Sequence, residues 1–283
     1  MSRTSRTGAL AFAALLLAPA AARAEFEAPR PSPKETLTQR VGLTDVTISY
    51  SRPSVKGRVI WGELVPWDKP WRTGANEATT ITFTDDVTVD GQKLAAGTYS
   101  IVTIPGKAEW TVVFNKDTKL WFETQYSEAN DVLRVKAKPQ PAEMVETLRI
   151  GFPTVGPASA VLAIEWEKLR VPVTIGVEVD GKVRAAVATA KADDWRTPLT
   201  AATYFFGQKT DAATAWSWLE KSISVQKNYS NVARKARVLA DEGKLAEAVK
   251  AGEEAMTLAK ASPDKPNMTA FEKALAEWKA KVK

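Results

Sequence analysis

The chain has 283 residues, 45% of them hydrophobic and 25% charged, which is an ordinary composition for a globular protein and a length that predicts two domains. It contains neither cysteine nor histidine, which excludes disulfides, thiolate nucleophiles, Ser-His-Asp catalysis and zinc sites of the usual kind. Its formal net charge is +6, and half of this charge comes from three arginines near the amino terminus, so the sequence predicts no nucleic-acid partner.

Motifs for cofactors are absent from the sequence as well. It has no glycine-rich phosphate loop, no dinucleotide-binding fingerprint and no cluster of metal ligands. We therefore predict no cofactor and no metal ion. The chemistry that remains open is carboxylate acid-base catalysis, lysine or tyrosine chemistry, carboxylate binding of hard cations, or ligand binding without catalysis.

The first 24 residues have the pattern of a secretory signal peptide. Arg3 and Arg6 precede an apolar run over residues 8–18, and Ala22-Arg23-Ala24 matches the small-residue motif that precedes signal cleavage. The apolar run is shorter than the roughly 20 residues that a membrane-spanning helix needs, and no later segment is long or apolar enough. We expect cleavage near Ala24, export to the periplasm or the extracellular space, and a mature protein without a membrane span.

Residues 25–35 carry three prolines and predict an extended arm, whereas residues 36–180 contain short segments with alternating apolar residues. Each such segment predicts a half-buried strand; the segments are Val46-Ile48-Tyr50, Ile81-Phe83, Val87-Val89, Tyr99-Ile101, Trp110-Val112-Phe114, Leu133-Val135-Ala137, Leu148-Ile150-Phe152, Leu162-Ile164-Trp166 and Val171-Val173-Ile175. The pair Asp90-Gly91 is typical of a tight type I′ hairpin turn. Because frequent turns leave no room for crossover helices, residues 36–180 are predicted to form an antiparallel, jelly-roll-like β-sandwich of about eight strands.

A long connection, over residues 50–83, joins two of these predicted strands and concentrates aromatic and basic residues. A connection of this length inside a compact domain is usually functional or structured in itself. It contains the stretch WRTGANEATT at residues 71–80, which combines an indole, a guanidinium, an amide and a carboxylate. The candidate ligand-binding residues of this connection are Trp61, Trp67, Trp71, Arg72, Asn76, Glu77, Arg52 and Arg58.

Each candidate has a structural interpretation beside the functional one. The tryptophans either stack on sugar rings or close the open end of the sandwich core. Arg72 either binds an anionic ligand through its fork of donors or pairs with Glu77 and joins the connection to the next strand. Asn76 either contacts a sugar or a cation, or satisfies backbone groups at the end of the loop. Arg52 and Arg58 form either an anion-binding patch or a solvated surface. The predicted ligand is accordingly a glycan or a small anion.

Catalysis is the alternative that the sequence leaves open. A glycosidase needs two carboxylates at a set separation, and Glu63, Asp68 and Glu77 all lie in the long connection. Spacing along a loop does not determine spacing in the folded protein. We therefore keep a carbohydrate-active hydrolase as the alternative to a binding protein.

Residues 181–283 are rich in alanine and place apolar residues three and four positions apart, which predicts about five helices. A weak internal repeat is formed by Gly207, Ala212 and Leu219 and by their counterparts Gly243, Ala248 and Ala255. Residues 233–260 resemble one tetratricopeptide repeat, although Gly252 occupies the usual aromatic position and the closing proline is displaced to Pro263. The helices therefore either present a surface to a protein partner or contain alanines that only permit close packing.

Four stretches of the chain carry a resemblance to a known family; they are SRPSVKGR at residues 51–58, LVPWDKPWRTGANEATTITF at residues 64–83, LAAGTYSIVTIPG at residues 94–106 and EWTVVFNKD at residues 109–117. They resemble a bacterial family known as domain of unknown function 2911, over about residues 35–177, in which helical repeats are a frequent companion. The resemblance implies no particular reaction and no catalytic residues. The sequence as a whole predicts an exported binding protein of the cell envelope.

Overall fold

The computed structural model describes residues 28–282 and contains, within that range, ten β-strands followed by six α-helices. The strands are β1 (Lys34–Val41), β2 (Thr44–Ser51), β3 (Thr80–Phe83), β4 (Val87–Val89), β5 (Gln92–Leu94), β6 (Gly97–Ile104), β7 (Trp110–Asn115), β8 (Asp131–Ala137), β9 (Gln140–Val155) and β10 (Ser159–Val177). The helices are α1 (Asp180–Thr189), α2 (Arg196–Gln208), α3 (Ala212–Val225), α4 (Tyr229–Asp241), α5 (Leu245–Ala261) and α6 (Thr269–Val282). This order confirms the prediction of a mainly β region followed by an α-helical region. The predicted signal peptide lies outside the described residues.

The strands form two antiparallel sheets. The larger sheet has six strands in the order β1-β2-β3-β6-β7-β8, and the smaller sheet has four strands in the order β5-β4-β10-β9. After β3 the chain crosses to the smaller sheet, forms the β4-β5 hairpin there, and returns to the larger sheet at β6. Asp90 and Gly91 have φ angles of 44° and 80°, as the predicted type I′ turn between β4 and β5 requires.

The two sheets enclose one hydrophobic core. Alternate residues of β2 point inward, so Val46, Ile48 and Tyr50 are buried, and they pack in the same cluster as Ile150 and Ile164 of the smaller sheet. The hydroxyl of Tyr50 accepts a hydrogen bond of 2.9 Å from the backbone N–H of Ile150, which joins the two sheets directly. Burial and the hydrogen bond to Glu35 raise the pKa of Tyr50, so this hydroxyl keeps its proton at physiological pH.

Several elements differ from the sequence prediction. β1 begins at Lys34, inside the predicted arm, and its apolar alternation is weak because it is an edge strand with a mostly polar sequence. β10 joins two predicted strands into one of 19 residues, because irregular register around Glu165 and Glu167 keeps the polar stretch between them in the ladder. α1 adds a helix to the predicted five; it buries only Val187 within the described chain, so its apolar periodicity is weak.

The helical region packs as successive antiparallel neighbours, with α2 against α3, α4 against α5, and α6 against α5. The short α5–α6 approach is made possible by Gly252, where an added Cβ would lie 2.6 Å from Cδ1 of Leu275. A large side chain at position 252 would therefore collide with α6. Among residues 28–282, no helix combines the length and the apolar character that crossing a membrane requires.

Candidate functional site

The long connection between β2 and β3 is attached by its backbone to both sheets. Its first part pairs with β9, where the N–H of Val55 donates to the carbonyl of Glu146 at 2.8 Å. Its last part pairs with β6, where Trp71 and Thr103 exchange two backbone hydrogen bonds of 2.8 Å each. The connection thus closes one side of the sandwich and holds the residues between these two attachments in a defined geometry.

Four tryptophans of the described chain meet beneath this connection. Trp61 and Trp71 come from the connection, whereas Trp110 and Trp166 come from β7 and β10. Trp71 stacks on Trp166 with a centroid separation of 5.7 Å, and the Trp61 ring meets the Trp110 ring edge-on at 4.9 Å. Trp71 is only 6% exposed and Trp166 only 1%. Because their faces are covered by one another, these indoles serve as core of the sandwich and present little surface for a sugar ring.

The stretch at residues 71–80 is braced by its own small residues. The hydroxyl of Thr79 donates to the carbonyl of Thr73 at 2.8 Å, and the indole N–H of Trp71 donates to the carbonyl of Gly74 at 3.3 Å. An added Cβ on Gly74 would lie 2.8 Å from Oγ1 of Thr79 and 3.0 Å from the carbonyl oxygen of Ser51. Glycine is required there because β2 and the start of β3 approach the backbone too closely for any side chain.

A cleft of about 690 Å³ opens above the tryptophan cluster. Its apolar surface comes from Trp71, Trp166 and several prolines of the connection. Its charged lining residues among those described are Lys56, Arg58, Lys69, Arg72 and Glu123. Four cations against one carboxylate give the cleft a positive potential, which is the pattern that attracts an anion.

Arg72 is the charged residue that lies deepest in this cleft, with a side chain that is 20% exposed, whereas Lys56, Arg58 and Lys69 are exposed. Its Nη1 pairs with a carboxylate oxygen of Glu123, in the loop between β7 and β8. Its Nε–H is buried and has no hydrogen-bond partner among residues 28–282. The predicted structural pairing of Arg72 with Glu77 is therefore wrong: backbone pairing with β6 directs these two side chains to different partners.

An unpaired guanidinium N–H in a buried position is unfavourable. Leaving a buried charged donor without an acceptor costs about 1–3 kcal/mol or more. The indole N–H groups of Trp61 and Trp110 also lack acceptors in the described chain, but neither residue is found in the lining of the cleft. Arg72 thus offers a charged donor that an entering ligand can satisfy.

The other predicted basic residues have mainly structural contacts. Arg58 lines the cleft, but its Nε donates to the carbonyl of Val55 at 3.1 Å and so stabilises the local turn. Arg52 lies outside the cleft; its Nε donates to the carbonyl of Leu148 at 2.9 Å and its Nη1 pairs with Glu35 at 3.1 Å. Arg52 therefore connects the larger sheet to β9 and takes no part in the candidate site as we define it.

Trp67, Asn76 and Glu77 also lie outside the lining of the cleft in the described chain. Trp67 packs over Gly62, where an added Cβ would be 2.5 Å from the indole Nε1. Asn76 donates a hydrogen bond of 3.1 Å to the carbonyl of Ser32, and Glu77 pairs with Arg30 at 2.7 Å. Hydrogen bonds from its own backbone N–H and from Arg30 lower the pKa of the Glu77 carboxyl, so it is ionised at neutral pH.

The three carboxylates that the glycosidase hypothesis requires do not converge on the cleft. Glu77 is paired with Arg30, and Glu63 and Asp68 are exposed on the connection, outside the lining of the cleft as far as the described residues show. The same part of the chain has no group of three or more acidic side chains placed to hold a metal ion. The arrangement is suited to binding an anion and lacks the carboxylate pair of a glycosidase.

Sequence reasoning missed several residues of the cleft. Glu123 lies 51 positions from Arg72 in a segment without a recognisable motif, so no spacing predicts their contact. Trp166 was expected only as a core residue of a strand. Pro31 and Ser32 belong to the predicted arm, and nothing in their sequence indicates that they form one wall of the cleft. Lys69 lies within the long connection and is distinguished only by its charge.

Comparisons with known proteins give a family and no activity. A search of curated proteins found no match to the chain, and a search of solved structures found none either. A family model described as "Protein of unknown function (DUF2911)" matches residues 32–175, which include both sheets almost entirely, together with the cleft and the tryptophan cluster. The chain is therefore a member of the DUF2911 family, joined to an α-helical region that follows the matched residues.

Proposed function

We propose that this protein binds a small anionic ligand in the cleft, with Arg72 as its central contact. The observation that supports this proposal most strongly is the buried, unpaired Nε–H of Arg72 in a cleft whose described charged residues include four cations and one carboxylate. A guanidinium offers two parallel donors to a carboxylate or a phosphate, which makes it the most suitable side chain for such a ligand.

Glu123 supports the same ligand class. Its carboxylate already occupies part of the Arg72 guanidinium, so the chain itself supplies the kind of group that we expect the ligand to carry. Both side chains are partly exposed, Arg72 by 20% and Glu123 by 38%, and their pairing is therefore weak enough for a competing anion to replace it. Glu123 thus limits the affinity of the empty cleft for anions.

A glycan remains within the proposal only if it carries an acid group. Neutral sugars are usually bound by stacking on exposed aromatic faces, and here Trp71 and Trp166 cover each other. A uronic acid would meet both the positive lining and the partly apolar walls. We do not extend the proposal to hydrolysis, because Glu123 is the only carboxylate in the cleft lining of the described chain and glycosidic cleavage needs two.

Arg72→Gln tests the proposal by calorimetric titration with glucuronate, inorganic phosphate and glucose. The unaltered chain is expected to bind glucuronate or phosphate saturably and to bind glucose more weakly. Loss of a charge-assisted hydrogen bond at Arg72 is expected to weaken that anion by about 10-fold or more, since such bonds contribute about 1.5–3 kcal/mol. Arg40→Gln is the matched control, because Arg40 has only an exposed ion pair with Asp45 at the edge of the larger sheet.

Two results of this titration would contradict the proposal. One is equal anion affinity in the unaltered chain and in Arg72→Gln. The other is glucose binding as strong as glucuronate binding, which would favour a neutral glycan instead. Similar melting temperatures for the two arginine variants would show that any difference in affinity arises in the cleft.

We also propose export and a protein partner for the helical region. Export is supported by the leader over residues 1–24, and an amino terminus at Glu25 in the mature protein would test it. A partner surface is supported by the two successive helical pairs, α2 with α3 and α4 with α5, which follow the phasing of tetratricopeptide repeats. The open side of α4 carries Arg237, which is exposed beside the Phe271 ring.

A further inference from the structure

The segment that precedes β1 forms one wall of the cleft. Pro31 and Ser32 lie in the cleft lining, directly before the first strand. Their position is fixed on one side by the β1-β2 ladder, which begins with Lys34 opposite Ser51. The backbone N–H of Arg52 donates to the carbonyl of Pro33 at 2.9 Å and extends this pairing by one residue. Residues 30–32, which we call the arm, lie beyond the end of this ladder.

Asn76 and Glu77 hold the arm against the connection. The Nδ2 of Asn76 donates to the carbonyl of Ser32 at 3.1 Å, and an oxygen of Glu77 accepts from Nη1 of Arg30 at 2.7 Å. Asn76 adopts a φ angle of 59°, a left-handed conformation that asparagine tolerates better than most residues. This conformation gives the turn a residue whose amide can reach the arm while Glu77 follows directly after it.

These contacts are weak in energy, which makes their purpose informative. The side chains of Arg30 and Glu77 are 43% and 40% exposed, and exposed ion pairs usually contribute about 0–1 kcal/mol to stability. One hydrogen bond to a carbonyl contributes about 1 kcal/mol. The fold does not depend on contacts of this size, so their main effect is on the position of the arm.

We infer that Asn76 and Glu77 are positioning residues for the ligand: they keep Arg30, Pro31 and Ser32 in place as a wall of the cleft and thereby set its width. This inference rests on the proposed binding of an anion at Arg72. It assigns the halves of the stretch at residues 71–80 different tasks. Arg72 contacts the anion, and Asn76 with Glu77 fixes the wall that the rest of the ligand meets.

The experiment combines Asn76→Gly with Glu77→Gln in the full chain. Glycine keeps the left-handed conformation and removes the amide, and glutamine keeps the shape of Glu77 and removes its charge. A spin label on Ala28→Cys reports the mobility of the arm, and it attaches at one place because the chain has no native cysteine. Glu109→Gln is the matched control, since Glu109 pairs with Lys136 in an equally exposed contact remote from the arm.

The expected result has two parts. In the double variant the spin label becomes more mobile, and the affinity for glucuronate or phosphate falls by about 3- to 10-fold, the equivalent of one lost hydrogen bond. The control variant changes neither quantity. The melting temperature of the double variant stays close to that of the unaltered chain.

Other results would overturn the inference in distinguishable ways. A label that is no more mobile in the double variant would show that Asn76 and Glu77 do not hold the arm. A mobile label with unchanged anion affinity would show that the arm is irrelevant to binding, while the proposed function would stand. No saturable anion binding by the unaltered chain would remove the proposed function and, with it, this inference.

Discussion

Trp166→Ala is expected to lower the free energy of unfolding by about 3–5 kcal/mol, as is usual when a large aromatic residue is removed from a core. Trp166 is 1% exposed, stacks on Trp71 at 5.7 Å and contacts the edge of Trp61 at 5.9 Å. Its removal would leave a cavity between the smaller sheet and the long connection. The change is measured by urea denaturation, with the midpoint and the slope compared between variants.

Trp121→Ala is the control for this substitution. Trp121 lies in the loop between β7 and β8 and is 42% exposed, so its removal is expected to change stability by less than about 1 kcal/mol. A small loss for Trp166→Ala, similar to that of the control, would contradict the view that the tryptophan cluster holds the connection to both sheets. It would also reopen the possibility that these indoles are available to a ligand.

Glu123→Gln is expected to raise anion affinity and lower stability at the same time. The substitution removes the carboxylate that competes for Arg72, and a partly exposed pair of this kind contributes about 1 kcal/mol, equivalent to about 5-fold in affinity. The free energy of unfolding should fall by a similar amount, because Arg72 then lacks its partner. Calorimetry with glucuronate or phosphate gives the first quantity, and urea denaturation gives the second.

Opposite signs in these two measurements distinguish a ligand site from a brace. If Arg72 and Glu123 only connect the loop to the sandwich, Glu123→Gln will lower stability without improving the binding of any anion. Glu128→Gln is the matched control, because Glu128 lies five residues away in the same loop and contacts Arg134 through an exposed pair. It should leave anion affinity unchanged.

The β-region could be predicted because its strands bury alternate residues on one face. Val46, Ile48 and Tyr50 show this alternation, and each is buried in the core. The method fails where burial does not alternate with hydrophobicity. β1 is an edge strand whose inward residues include threonines, and the middle of β10 buries Glu165 between Arg149 and Arg170 instead of an apolar residue.

The candidate site could be predicted only in part. The sequence directs attention to the stretch at residues 71–80, and the cleft does contain Trp71 and Arg72. It does not reveal that Arg72 meets Glu123, since that contact depends on the register of the connection on β6. Nor does it reveal that Asn76 and Glu77 point to the arm, because this follows from the left-handed turn at Asn76 and the β1-β2 ladder.

The stretch at residues 71–80 therefore combines several tasks in consecutive residues. Trp71 belongs to the core, Gly74 permits close approach of the backbone, and Thr79 ties the turn to β3. Arg72 alternates to the opposite side and reaches the cleft. Structural and binding roles are interleaved because the backbone there alternates like a strand, with successive side chains on opposite faces.

The most direct test of the central claim is the NMR signal of the Arg72 Nε–H, assigned by its loss in Arg72→Gln. Titration with glucuronate or phosphate should shift this signal saturably, because the anion becomes the first acceptor for a donor that has none in the described chain. The Nε–H signal of Arg40 should not move. An Arg72 signal that stays constant up to millimolar anion, or moves only in parallel with Arg40, would contradict the assignment of this cleft as an anion-binding site.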